Sequence, residues 1–157
     1  MRERLVEREQ RVAVPLADAF AFYADARNLE RITPPWLRFR VTTPGPIEMR
    51  AGTLIDYRLR LHGIPLRWRT RITEWEPPNR FVDLQLRGPY ALWHHTHELE
   101  AAGDGATVVR DRVRYRIGFG PLGTIADVAL VRHDLLRIFD YRAEATERLM
   151  TGGQPRP

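Results

Sequence analysis

Residues 54–72 read LIDYRLRLHGIPLRWRTRI. Apolar residues and arginines alternate with period two on both sides of His62-Gly63, the signature of two half-buried strands joined by a tight turn. On the first strand Ile55, Tyr57, Leu59 and Leu61 share one face, and Asp56, Arg58, Arg60 and His62 share the other. On the second, Leu66, Trp68, Thr70 and Ile72 oppose Arg67, Arg69 and Arg71. Successive side chains of a strand point to opposite faces, so the apolar sets turn inward and the arginines outward.

Outward from this hairpin the same pattern recurs. Strands are expected at 3–13, 37–43, 52–62, 65–75, 80–87, 91–100 and 106–117. Pro44-Gly45-Pro46, Pro77-Pro78-Asn79, Gly88-Pro89 and Gly103-Asp104-Gly105 separate them, residue types that supply turn dihedrals. Separators this short make neighbours antiparallel. Between the first strand and the rest, Pro15 opens a helix carrying Leu16, Phe20 and Tyr23, and a second short helix runs through Leu29 and Ile32 to stop at Thr33-Pro34-Pro35. After Gly123 the period becomes 3.6, with Ile125, Ala129, Leu135, Leu136, Phe139, Ala143 and Leu149 on one stripe. The expected architecture is α+β: a curved antiparallel sheet of about seven strands covered by a long C-terminal helix, the helix-grip arrangement, with a cavity between them.

The chain has 157 residues, 43% of them hydrophobic and 29% charged, the composition of a folded globule. Residues 1–150 are expected to form one domain and 151–157 a disordered tail. There is no cysteine, which excludes disulfides, thiol nucleophiles and cysteine-based metal sites. No leader or spanning segment is read, so the cytoplasm is the expected compartment and stable membrane insertion is not expected. The net charge of +5 is carried by arginine without any lysine. Guanidinium forks suit phosphate and carboxylate, but outward arginines interrupted by Asp56 and Glu74 read as a solvated face, and nucleic-acid binding is not expected. Trp36, Trp68, Trp75 and Trp93 read as packing residues and not as platforms for bases.

The motifs Thr33-Pro34-Pro35-Trp36, Gly52 with Tyr57, Trp68-Arg69-Thr70 with Ile72, Phe81-Val82-Asp83, Gly88-Pro89-Tyr90, Trp93 with His95 and His97, Asp111 with Tyr115, and Gly120-Pro121-Leu122-Gly123 resemble the SRPBCC, or START-like, superfamily over nearly the whole chain. Within it they are similar to a bacterial cyclase/dehydrase-like branch. Leu99 departs from the phenylalanine such proteins often carry, a packing change only. The resemblance implies a small hydrophobic ligand, such as a lipid-like or polycyclic molecule, and for some members cyclisation or dehydration.

Strand alternation turns Trp93, His95, His97 and Leu99 inward, since His94, Thr96 and Glu98 suit water better. The strand at 80–87 is ambiguous: Phe81, Asp83 and Gln85 form one face, and Val82, Leu84 and Leu86 the more apolar other. The resemblance favours Asp83 inward, and likewise Asp111, Val113, Tyr115 and Ile117. The candidate ligand-binding residues are therefore Tyr57, Trp68, Asp83, Gln85, Trp93, His95, His97, Asp111 and Tyr115. Two histidines at i and i+2 with a carboxylate match a metal triad in type, yet no further metal signature is present and the pair reads as a hydrogen-bonded polar network; neither metal nor cofactor is expected. The same network could serve as acid and base in a cyclase or dehydratase, which is the alternative to simple binding.

Overall fold

The computed structural model describes residues 2–118 and 130–152. In chain order the elements are β1 (Arg4–Val12), α1 (Leu16–Ala24), α2 (Asn28–Ile32), a 3₁₀ turn (Pro35–Leu37), β2 (Arg40–Val41), β3 (Leu54–Leu61), β4 (Ile64–Glu76), β5 (Arg80–Arg87), β6 (Tyr90–Ala101), β7 (Thr107–Ile117) and α3 (Arg132–Met150). The strands form one antiparallel sheet in the order β1-β7-β6-β5-β4-β3-β2. This is the helix-grip order expected, with β1 crossing to pair with β7 while α1 and α2 bridge to the far edge.

The hairpin that decides the fold pairs as its alternation requires: Ile55 faces Thr70, Tyr57 faces Trp68 and Leu59 faces Leu66, all on the inner side. The inner surface is covered at one end by α1, where Phe20 and Tyr23 pack with Phe81, Leu99 and Val109. At the other side Leu135 and Phe139 of α3 pack on Val6, Val113 and Tyr115. A third cluster, Ala26, Val41, Ile55, Tyr57 and Ile72, joins α2 to the far edge of the sheet. Glu30 fastens that junction by accepting a 2.7 Å hydrogen bond from the Val41 amide.

One expectation changes. The strand at 37–43 shrinks to Arg40–Val41, because Pro35 opens a 3₁₀ turn and Arg38 closes it in the left-handed region at φ 46°. The expected helical stripe is present at Leu135 and Phe139, while Ile125 and Ala129 lie outside the described residues.

The ambiguous strand, β5, is settled by its register. Asp83 lies opposite His95 and Phe81 opposite His97, placing both on the inner face. Val82 sits between Glu74 and Thr96 on the outer face, yet is fully buried. Arginine and glutamate stems of the neighbouring strands can roof such a residue, so an outward set of Val82, Leu84 and Leu86 looks like a core pattern in the sequence. Irregularities in the pairing with β4 then carry Arg87, two residues beyond Gln85, to a position opposite Arg69.

Candidate functional site

Between the sheet, the two short helices and α3 lies a half-open cavity of about 170 Å³. Ile55, Leu59, Leu66, Trp68, Trp93, Ile138 and Phe139 supply most of its wall. Trp68 and Trp93 meet edge to face, 5.2 Å between centroids, and Tyr90 packs at 4.8 Å from Trp93. Aromatic packing of this kind holds the rings in place and keeps one side of the cavity rigid.

One end of the wall is polar. Antiparallel register puts Asp83 opposite His95 and Asp111 opposite His97, so that four ionisable side chains from three strands meet on the inner face. The contacts run diagonally. His95 Nε2 lies 2.8 Å from Asp111 Oδ1, and His97 Nε2 lies 2.9 Å from Asp83 Oδ2. His97 Nδ1 is also 2.9 Å from Asp111 Oδ1, but its N–H points off that oxygen and the contact is Coulombic, not a formed hydrogen bond. The two imidazoles overlap at 3.7 Å, and Phe81 stacks on the other face of His97 at 4.1 Å and 14°.

Both histidines are buried, 4% and 2% exposed, so their protonation is set by these neighbours. An ionised carboxylate only accepts, so each Nε2 donates. His95 is pushed down to about 4, by burial first and then by the positive charge of His97, which together outweigh its two carboxylates. His97 moves the other way. Burial alone would lower it, but the proximity of Asp111 and Asp83 raises it above its ordinary value. The carboxyls are buried too, a condition that opposes ionisation; the histidine contacts overcome it and hold Asp83 below, and Asp111 well below, the ordinary carboxylate range. Between about pH 4 and the ordinary histidine value of 6.5 the quartet is thus two carboxylates, one imidazolium and one neutral imidazole, with one negative charge in excess.

Arg142 of α3 lies nearest to balancing that excess. It lines the cavity, its charge helps to depress Asp83, and its Nε is buried with no hydrogen-bond partner. Sequence reading missed it. The available signal was its position one turn beyond Ile138 and Phe139, which put a cation at a spacing otherwise reserved for apolar residues.

Of the nine candidates, Tyr57, Trp68, Asp83, Trp93, His95 and His97 line the cavity. Asp111 stands behind the histidines and reaches it only through them. Tyr115 is 1% exposed and packs in the core with Val6 and Val113. Gln85 is spent on the β5–β6 turn: its amide donates to the Tyr90 carbonyl at 2.7 Å and its carbonyl accepts from the Tyr90 amide. Gly88 leaves room for it, since a side chain there would meet the Gln85 amide at 2.4 Å. Asp83, His95 and His97 bring three donor atoms within 4.8 Å of one another. The two imidazoles lie 3.7 Å apart and inclined at 34°, and each already contacts a carboxylate of the protein.

The sequence profile of the family described as polyketide cyclase / dehydrase and lipid transport matches residues 3–151. The chain belongs to this family. A search of curated proteins found no match. Among solved structures, a Thermus thermophilus protein shares 17% identity at a TM-score of 0.74, covering 97% of this chain and all of that one. An aromatase/cyclase from a Streptomyces species shares 15% at 0.69, with 98% and 100% covered. A START superfamily protein from Mycobacterium smegmatis shares 11% at 0.68, with 96% and 99% covered. At these identities the structural likeness speaks for the fold alone, the helix-grip arrangement that the sequence led us to expect. No described helix is long and apolar enough to cross a membrane.

Proposed function

We propose that this family member binds a small, mostly apolar molecule between the sheet and α3, with the polar end of the molecule turned toward Asp83, His97 and Arg142. The observation that carries the reading is the division of the cavity wall into an aromatic and aliphatic majority and one buried charged cluster. Pockets of that composition take their affinity from apolar burial and their orientation from a few fixed polar groups. An engineered cavity of roughly 150 Å³ encloses one benzene ring, so a cavity of about 170 Å³ encloses one ring or a short acyl chain, and a longer ligand extends through the open side.

A second reading is catalysis of a cyclisation or dehydration, which the family description favours together with the protonation pattern. His97, held charged between two carboxylates beside the cavity, is suited to act as an acid, whereas His95 at about 4 is a weak base. Binding is preferred because the histidine nitrogens are held by Asp83 and Asp111, which fixes a charged hydrogen-bonding end to the cavity and leaves no nitrogen free to take a proton from a substrate.

The two readings separate on His95→Gln and His97→Gln. Under binding, the compound extracted from the purified protein is retained about tenfold less well or in a shifted pose, since a charged hydrogen bond contributes roughly 1.5–3 kcal/mol. Under catalysis, turnover of that compound falls by about 10²–10⁴ while its retention is unchanged. If neither substitution changes retention or turnover, the histidines do not face the ligand and both readings fail.

A further inference from the structure

The outer face of the sheet is divided electrically. On β7 each outward arginine from Arg110 to Arg114 meets a glutamate: Arg110 bonds Glu9 and Glu100, Arg112 bonds Glu7, and Arg114 bonds Glu3. On the opposite half the register does the reverse. Arg40, which reaches Glu30 at 3.4 Å, stands directly opposite Arg58, and Arg58 directly opposite Arg67, a row of three arginines across three strands of which only the outermost meets an acid. In the next row Asp56 binds Arg69 in a bidentate pair at 2.8 and 3.0 Å, but Arg69 itself stands opposite Arg87. Among the described residues no acid pairs with Arg58, Arg67 or Arg87. Like charges directly opposite in a sheet are destabilising, so this half of the face is strained in the very respect in which the β7 half is relieved.

The arginines enclose two adjoining grooves. One, of about 240 Å³, is lined by Arg58, Arg67, Arg69 and Arg87, with Asp56, held by Arg69, as its one acid; the other, of about 420 Å³, shares Arg58 and Arg67 and adds Arg38 and Arg60. Tyr57 and Trp68 border the first groove but turn their rings inward to the central cavity, so they offer this face no free stacking platform for a base. The arginines line concave grooves and so suit a compact anion better than a flat bilayer. Planar guanidinium forks bind phosphate oxygens in pairs, and two grooves meeting at one arginine pair suit two linked phosphates.

We infer that this outer face is a binding site for the diphosphate group of a soluble organic phosphate, centred on Arg58 and Arg67 and separate from the cavity. Calorimetric titration with inorganic pyrophosphate at about 20 mM salt, where surface charges are weakly screened, tests it. The expected result is saturable one-to-one binding that weakens at least about tenfold in Arg58→Gln/Arg67→Gln and in Arg87→Gln, and changes less than about twofold in Arg110→Gln/Arg112→Gln. The Arg58→Gln/Arg67→Gln variant should melt no lower than the parent, since repulsion is removed, and Arg87→Gln provides a second test that leaves the shared pair intact. Absence of saturable binding overturns the inference, as does equal loss in the Arg110→Gln/Arg112→Gln control. So does binding only to a single-stranded oligonucleotide, or only to vesicles with roughly 30% anionic lipid, because the site would then serve a macromolecular polyanion.

Discussion

Asp111→Asn is expected to lower the thermal midpoint by about 10 °C. Asp111 takes a hydrogen bond from His95 and lies 2.9 Å from His97, and its side chain is only 11% exposed. Removing its charge leaves the His97 imidazolium with Asp83 as its single close counter-charge, in a position water cannot reach freely. Breaking a buried pair from one side costs about 3–5 kcal/mol, and for a domain of this size each kcal/mol moves the midpoint by roughly 2–4 °C. The loss comes from an uncompensated charge, so the double variant Asp111→Asn/His97→Gln should regain part of it. Thermal unfolding followed by circular dichroism reads both, and a fall of less than about 2 °C in the single variant would show that the quartet is not electrostatically coupled.

The second large effect is on the pH dependence of stability. His95 has an ordinary value of 6.5 and is pushed down to about 4 in the folded chain. Between those values the unfolded chain takes up a proton that the folded chain refuses, so stability falls by about 3 kcal/mol as the pH drops from 6.5 to 4. Asp83 and Asp111, both lowered from 3.8, add a further loss as the pH falls below that value toward their folded ones. His97 is raised, so its contribution is complete below 6.5 and is lost as the pH rises through its folded value. These opposed slopes meet at the ordinary histidine value and put the maximum near pH 6.5, with the acid side dominated by His95. Urea denaturation across pH 4–8 checks this: His95→Gln should flatten the acid limb and leave the alkaline limb in place, and an unchanged acid limb would assign the slope to other groups.

Much of this was legible because strands with one buried face declare that face. The alternation in residues 54–72 and in Trp93, His95, His97 and Leu99 placed the inward sets directly, and the chain pairs them accordingly. Where two faces are both partly buried the signal fails, as on β5, where the apolar set Val82, Leu84 and Leu86 is outward and the charged residue inward. The resemblance, not periodicity, pointed to Asp83. Gln85 shares its face with Asp83 but is drawn into the following turn, a demand set by the Tyr90 backbone that no side-chain pattern records. Tyr115 is inward as expected, but inward includes the core under α3 as well as the cavity wall. Arg142 escaped notice because a single cation on an amphipathic helix ordinarily faces water, and its position relative to Asp83 depends on how α3 lies across the sheet.

The claim on which the rest depends is that the space between the sheet and α3 receives an apolar ligand. Fluorescence titration with N-phenyl-1-naphthylamine, a neutral apolar probe, tests it directly in the parent chain and in Ile138→Trp and Leu66→Trp, which place a bulky ring into the cavity. Saturable one-to-one binding is expected, with quenching of the Trp68 and Trp93 emission, that is lost in both filled variants while their circular dichroism remains that of the parent. Absence of saturable binding in the parent, or binding that persists unchanged in both filled variants, would contradict it.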